Sequence, residues 1–324
     1  MRVLIVAAIG AIVVVGFAIT LWSFIATPQY VAGPGTQTTY APLPTEAPPT
    51  TQPPPPTEPP NVEVPAPDKN PSDLPAPENY AEATALMEKN PAYAESVAIP
   101  TDCAVDAVDV QTASVDALEK HLNGLTACLW RVWSPPLVAA GFEMPRPPVT
   151  VFTSKVTTAC GKMDDLVNAV YCGADQRVYY GKLLYVAIPK ELRKTPFIAD
   201  TVIAHEFGHA IQARTGILIS EKAWEDKSSK EEALVLSRRT EMQADCLAGM
   251  FTGSVAAANN LSPADLKNLG LMIYNLGDDV LAGDPTVVAD HGTGKARQSW
   301  YVAGGKSDQL KTCNTYTAPA SKVR

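Results

Sequence analysis

The stretch PFIADTVIAHEFGHAIQARTG, residues 196–216, decides how the chain is read. It opens on Pro196 and closes past Arg214 on Gly216, the asymmetry of a helix with proline at its start and glycine beyond its end. Phe197, Ile198, Val202 and Ile203 make it apolar enough to be buried. Within it stand His205, Glu206 and His209. Residues four apart share a helical face, with Cβ atoms about 5–6 Å apart. Two imidazoles so placed hold one Zn²⁺ at about 2.0–2.1 Å each. Glu206, directly after the first histidine, is placed to take a proton from water at the metal. A buried histidine pair flanking a carboxylate is costly without partners, and a metal is the economical one.

A catalytic zinc needs a third protein ligand and an open fourth position. The metzincin extension of the motif requires Gly at 212 and His at 215; Gln212 and Thr215 stand there, which excludes that class. The next long helical stretch carries TEMQAD, residues 240–245, with Glu241 and Asp245 four apart and on one face. Glu241 from this second helix would complete a His₂Glu set. Asp245, one turn on, would accept the other ring N–H of a ligand histidine and so fix its tautomer. Glu231 and Glu232 compete as ligands from nearer the helix's solvated start, and Glu241 has an alternative in a surface pair with Arg238 or Arg239.

Outward from the motif, the spacing of Val115, Leu118, Leu122, Leu125, Leu129 and Val132 predicts a helix from Ser114 to Ala140, kinked or ended by Pro135-Pro136. Short strands are expected at Val149–Phe152, Val178–Tyr180 and Leu183–Ile188. Further helices are expected from Lys230 to Ala257, from Ser262-Pro263 with Asp265 in its first turn, and from Gly294 to Val302. Helices flanking a small sheet make the fold class α+β, mainly helical.

The 324 residues divide into three parts: a span at 1–27, a linker at 28–78 and a folded domain at 79–324. Val3–Ala26 carries no charge and is long enough to cross a bilayer. Its apolar run exceeds that of a cleaved signal peptide, so an uncleaved single-pass anchor is expected. Arg2 on the short side places the rest outside the cytoplasm. Residues 28–77 hold 17 of the 29 prolines, a disordered, extended spacer that suits contact with a cell wall. The net charge of −8 argues against a nucleic-acid partner. Six cysteines, an even number, fit an oxidising compartment. Cys160 and Cys172 are the easiest local pair; 15 pairings of the six are formally open.

The blocks HEFGHAIQ, EMQADCLAGMF and HGTGKARQSWY, in this order, resemble the bacterial putative neutral zinc metallopeptidases, a family with a zincin-type site. The resemblance covers about residues 100–316, with Met242 where leucine is common. It implies a zincin-like domain with His205, His209 and Glu241 as ligands of one Zn²⁺ and Glu206 as general base, acting on a peptide or protein substrate. It also implies that Cys246 pairs with Cys313, leaving Cys103 with Cys128. By analogy with thermolysin-like sites, His291 would donate to the oxyanion that hydrolysis builds; its other reading is a helix-start residue bonding the backbone. Arg297 is read as a surface ion-pair partner rather than a substrate ligand, and His121 as structural. Tyr179 and Tyr180 are placed in a strand whose edge could take an extended peptide. The expected function is thus a membrane-anchored extracytoplasmic zinc peptidase. The alternatives are a non-catalytic zinc module of the cell envelope and a zinc amidase acting on wall peptides.

Overall fold

The computed structural model describes residues 63–324. The expected membrane span at residues 3–26 and the linker up to residue 62 lie outside the described residues. Among the described residues no helix is long and apolar enough to cross a membrane.

The chain first forms α1 (Tyr80–Glu88), capped by the Asn79 side chain, and then α2 (Val115–Ala139), capped by Ser114. The predicted stripe is the buried one: Leu118, Leu122, Leu125, Leu129 and Val132 all face the core. The expected break at Pro135-Pro136 does not occur, and the helix runs through both prolines to Ala139. They stand in the last turns, where only two ladder N–H groups are lost. Burial of Pro136 and Leu137 holds the helix on, Ala140 N–H closes onto Pro136 O, and Gly141 turns the chain at φ +88°.

The sheet is small. Strands β1 (Val149–Phe152), β2 (Val156–Thr158), β3 (Gly161–Met163), β4 (Ala169–Cys172) and β5 (Arg177–Gly181) divide into two groups. β5 is central, parallel to β1 with Val149 opposite Val178, and antiparallel to β4 with Tyr171 opposite Val178. β2 and β3 form a separate hairpin, tied to β4 by the Cys160–Cys172 disulfide. The strand expected at Leu183–Ile188 is instead a 3₁₀ turn, Leu184–Ala187. Its buried residues, Leu184 and Ile188, are four apart rather than two, and Arg193 holds the carbonyls of Val186 and Ile188 away from any ladder.

The remaining chain is helical: α3 (Ile198–Arg214), α4 (Ile217–Glu225), α5 (Lys230–Val255), α6 (Pro263–Asn275), α7 (Asp278–Leu281) and α8 (Gly294–Gly304). Ser229 with Glu232, and Ser262 with Asp265, form reciprocal capping boxes at the starts of α5 and α6. Gly216 is a corner rather than an end: at φ +74° it redirects the chain straight into α4, which the sequence reading did not foresee. α5 lies between α3 and α8, and both seams are tight. A Cβ on Gly208 would stand 2.9 Å from Ala244 Cα, and one on Gly249 would stand 1.9 Å from Tyr301 O. The second disulfide and the third, Cys103–Cys128 and Cys246–Cys313, match the pairing that the resemblance implied.

The described end of the linker is not loose. Asp68 N–H donates to Arg146 O, Gln176 and Arg214 both donate to Ser72 O, and Leu74 packs against the core. The chain is therefore held on the domain well before residue 79, the expected boundary.

The α3–α5 seam gives a first prediction. Alanine is ordinarily about 1 kcal/mol better than glycine inside a helix. At Gly208 the added methyl meets the backbone of α5, so Gly208→Ala should instead destabilise by about 1–3 kcal/mol. A thermal melt should show the midpoint falling by several degrees; an unchanged or raised midpoint would show that the seam has slack.

Candidate metal centre

α3 presents His205 and His209 one turn apart on the face that meets α5, and α5 answers with Glu241 and Asp245. Ligand atoms of His205, His209 and Glu241 all lie within 4.8 Å of one another. His205 Nε2 stands 3.2 Å from Glu241 Oε2, and His209 Nε2 stands 3.4 Å from Glu241 Oε1. Gly208, next to His209 in the chain and facing Ala244, is what lets the helices approach this closely.

The tautomers follow from what each ring holds at its other nitrogen. His205 Nδ1 lies 2.9 Å from Asp245 Oδ1, and a carboxylate only accepts. His209 Nδ1 lies 2.8 Å from Gln212 Oε1. The Gln212 amide is oriented by its own donor, which gives to Thr240 O and to Gln243 Oε1. Both Nδ1 atoms therefore carry hydrogen, and both Nε2 atoms face the Glu241 carboxylate, where a metal would take the place of a proton. Glu241 Oε2 is buried and accepts no hydrogen bond among the described residues. Three acceptors turned on one point fit a cation. Two imidazoles and a carboxylate, with four-fifths or more of the Glu241 side chain out of solvent, suit zinc in particular.

The electrostatics agree. Burial works against charge on His205, but Asp245 and Glu241 outweigh it and push the imidazole up to about 10. Burial would raise Glu241, yet His209, His291 and His205 hold it well below the usual carboxylate range. The field at this point attracts positive charge, and a dication competes there with a proton.

Asp245 is fully buried and ionised, held low against burial by Arg297 and His205. The expectation for Arg297 is corrected here. It is not a surface residue but 5% exposed, donating from Nε to Asp245 Oδ2 at 2.8 Å and from Nη2 to Asp245 Oδ1 at 3.0 Å. The signal was available in the buried stripe Gly294, Arg297, Tyr301 and Gly304, spaced three, four and three along α8. Gln212, also missed, stands three residues after His209 on the same face. The competing readings of Glu241 fall away. Arg238 donates to Val323 O and Ala289 O, and Arg239 to Thr315 O and Ala318 O. Glu232 closes the capping box and Glu231 lies exposed beside it.

Glu206 faces the sheet. Its Oε2 accepts the Tyr171 N–H of β4 at 2.7 Å, which sets the carboxylate between α3 and the outer edge of β4. Tyr179 and Tyr180 lie on the central strand, so the free edge beside the site belongs to β4 and not to them. His121 binds Asp200 at 2.8 Å, a structural pair as expected.

His291 precedes the Thr293 cap of α8 and does not bond the backbone. Its Nδ1 lies 3.1 Å from Asp290 Oδ1 and 3.7 Å from Asp278 Oδ1. Burial would lower its pKa, but Glu241, Asp278 and Asp290 raise it to about 10. These carboxylates favour the charged ring, which stands within electrostatic reach of Glu241.

The chain is 30% identical over 207 residues to the uncharacterized protein YpfJ of Escherichia coli K12, covering 62% of this chain and 72% of that one. It is 27% identical over 204 residues to the uncharacterized protein Rv2575 of Mycobacterium tuberculosis, covering 58% and 67%. No solved structure matches it. The model of one family, described as putative neutral zinc metallopeptidase, matches residues 97–316, and the chain belongs to that family.

Proposed function

We propose that the protein is a zinc peptidase in which Glu206 is the general base, held outside the cytoplasm on a membrane anchor. The observation that carries the zinc centre is the convergence of two Nε2 atoms and the Glu241 carboxylate within 4.8 Å of one another. His205, His209 and Glu241 would hold the ion. When bound, zinc supplies a Lewis acid that polarises a carbonyl and lowers the pKa of water to about 7.

The chain's own residues supply the rest. Glu206 is fixed by Tyr171 N–H through one oxygen, and its other oxygen takes no hydrogen bond among the described residues. That oxygen is available to accept a proton from water and to return it to the leaving amine. The free edge of β4 runs beside it, where an extended peptide can add as a strand. His291, anchored by Asp290, is suited to donate from Nε2 to developing oxyanion charge. The group of three ligands favours catalysis over a structural role, because structural zinc ordinarily takes four protein ligands.

Three disulfides support an oxidising compartment, and the uncharged run at 3–26 supports an anchor there.

Glu206→Gln should bind one zinc per chain and lose peptide hydrolysis. Metal analysis with profiling on a broad peptide library tests it; a variant cleaving as fast as wild type would falsify the general-base role. His291→Ala should keep its zinc and lower kcat about 10²–10³-fold, whereas an effect confined to KM would make His291 a binding residue only. Full-length protein should sediment with membranes and be digested by protease added outside intact cells. Recovery in the soluble cytoplasmic fraction would refute the proposed location.

A further inference from the structure

The third block of the sequence, HGTGKARQSWY, has no part in the ligand set, yet the fold is built to bring it against the site. α8 packs on α5 so closely that a Cβ on Gly249 would meet Tyr301 O at 1.9 Å, and one on Gly304 would meet Cys246 O at 1.9 Å. Two helices with small residues at both contacts approach backbone to backbone. Arg297 stands one turn before Tyr301 on the same buried face of α8, and its guanidinium reaches Asp245.

Three of its donors are placed. Nε and Nη2 grip the two oxygens of Asp245 at 2.8 and 3.0 Å, and Nη1 donates to Leu276 O at the end of α6. The fork fixes the plane of the carboxylate, not only its charge. Asp245 Oδ1 then has one direction left in which to accept, and His205 Nδ1 fills it at 2.9 Å. With the imidazole plane set by that bond, Nε2 aims at Glu241. The chain of contacts from α6 through Arg297, Asp245 and His205 ends at the ion.

We propose that Arg297 is a positioning residue for the metal, acting through Asp245 to fix the orientation and tautomer of His205. It touches neither the ion nor the substrate. This inference rests on His205 being a zinc ligand, as argued above. Arg297 is the only guanidinium hydrogen-bonded to Asp245 among the described residues. Removing it leaves the carboxylate fully buried and held by His205 Nδ1 alone. A lysine could restore charge but not the two-pronged grip.

The test is zinc affinity of the full-length protein, measured with Zn²⁺ alone against a chromophoric chelator. The proteins are wild type, Arg297→Met, Arg297→Lys, Asp245→Asn and the Arg297→Met/Asp245→Asn double variant. Arg297→Met should weaken zinc about 10–100-fold, the range for loss of an outer partner of a ligand histidine. Arg297→Lys should recover only part of that loss. The double variant should bind no more weakly than Asp245→Asn, because both changes break one chain of contacts. Substituted Co²⁺ should show an altered d–d spectrum in Arg297→Met, a change that looser helix packing away from the ion would not cause. If Arg297→Met does not fold, Arg297→Lys carries the comparison. Unchanged affinity in a folded variant overturns the inference, as does a double variant whose losses multiply. A wild-type protein that binds no zinc overturns instead the reading of the site on which the inference stands.

Discussion

Everything distinctive about this domain depends on how closely α3 and α5 approach. Two imidazoles on one helix reach a carboxylate on another only if nothing bulky separates the backbones, and at Gly208 nothing does. The cost is a helix with a glycine in its interior, which isolated propensity would disfavour. Tertiary packing overrides that, since nearly the whole of α3 is buried on every side, against α2, the sheet and α5. The site is therefore not added to a finished core. It is the place where the core's own elements meet, and three acceptor groups there are tolerable only in the company of a cation.

The surroundings are arranged to keep that meeting point fixed. Charge is distributed in pairs. Asp245 is answered by Arg297, and Asp290 by His291. The Cys246–Cys313 disulfide stands next in the chain to Asp245, and Gln243 donates to Cys313 O, so the C-terminal segment is fastened to the same stretch of α5 that carries Glu241. A cross-link at this position constrains the unfolded chain and braces the native one.

Much of this was legible in the sequence, and for identifiable reasons. HEFGH and EMQAD each place two functional side chains four apart, which depends only on helical periodicity and survives any error in tertiary placement. The caps at Ser114, Ser229 and Ser262 are equally local. What was not legible depended on context. Leu183–Ile188 has strand-like composition, but Arg193, five to ten residues on, draws its carbonyls into a turn. Pro135-Pro136 reads as a stop, yet burial of Leu137 keeps the helix together. A lone arginine such as Arg297 reads as solvent-exposed until its partner's complete burial is known. The six cysteines showed an oxidised protein, while their pairing, apart from the local loop at 160–172, needed the resemblance.

His205 and His209, the two histidines proposed as ligands, are supported differently, and the difference has a physical consequence. His205 leans on a charged carboxylate, which makes its Nε2 a stronger donor to a cation. His209 leans on a neutral amide, Gln212, whose direction is passed on through Gln243 to Cys313 O and the Tyr93 hydroxyl. Each link has one donor facing one acceptor, so a flip of either amide would oppose like groups inside a dry interior. A second carboxylate at position 212 would fix the tautomer as well, but it would add a negative charge at a fully buried position. The amide sets direction without charge. Asp245 can be charged because α8 supplies its counter-ion, Arg297, whereas the Gln212 amide is matched to the neutral groups of Thr240 and Gln243.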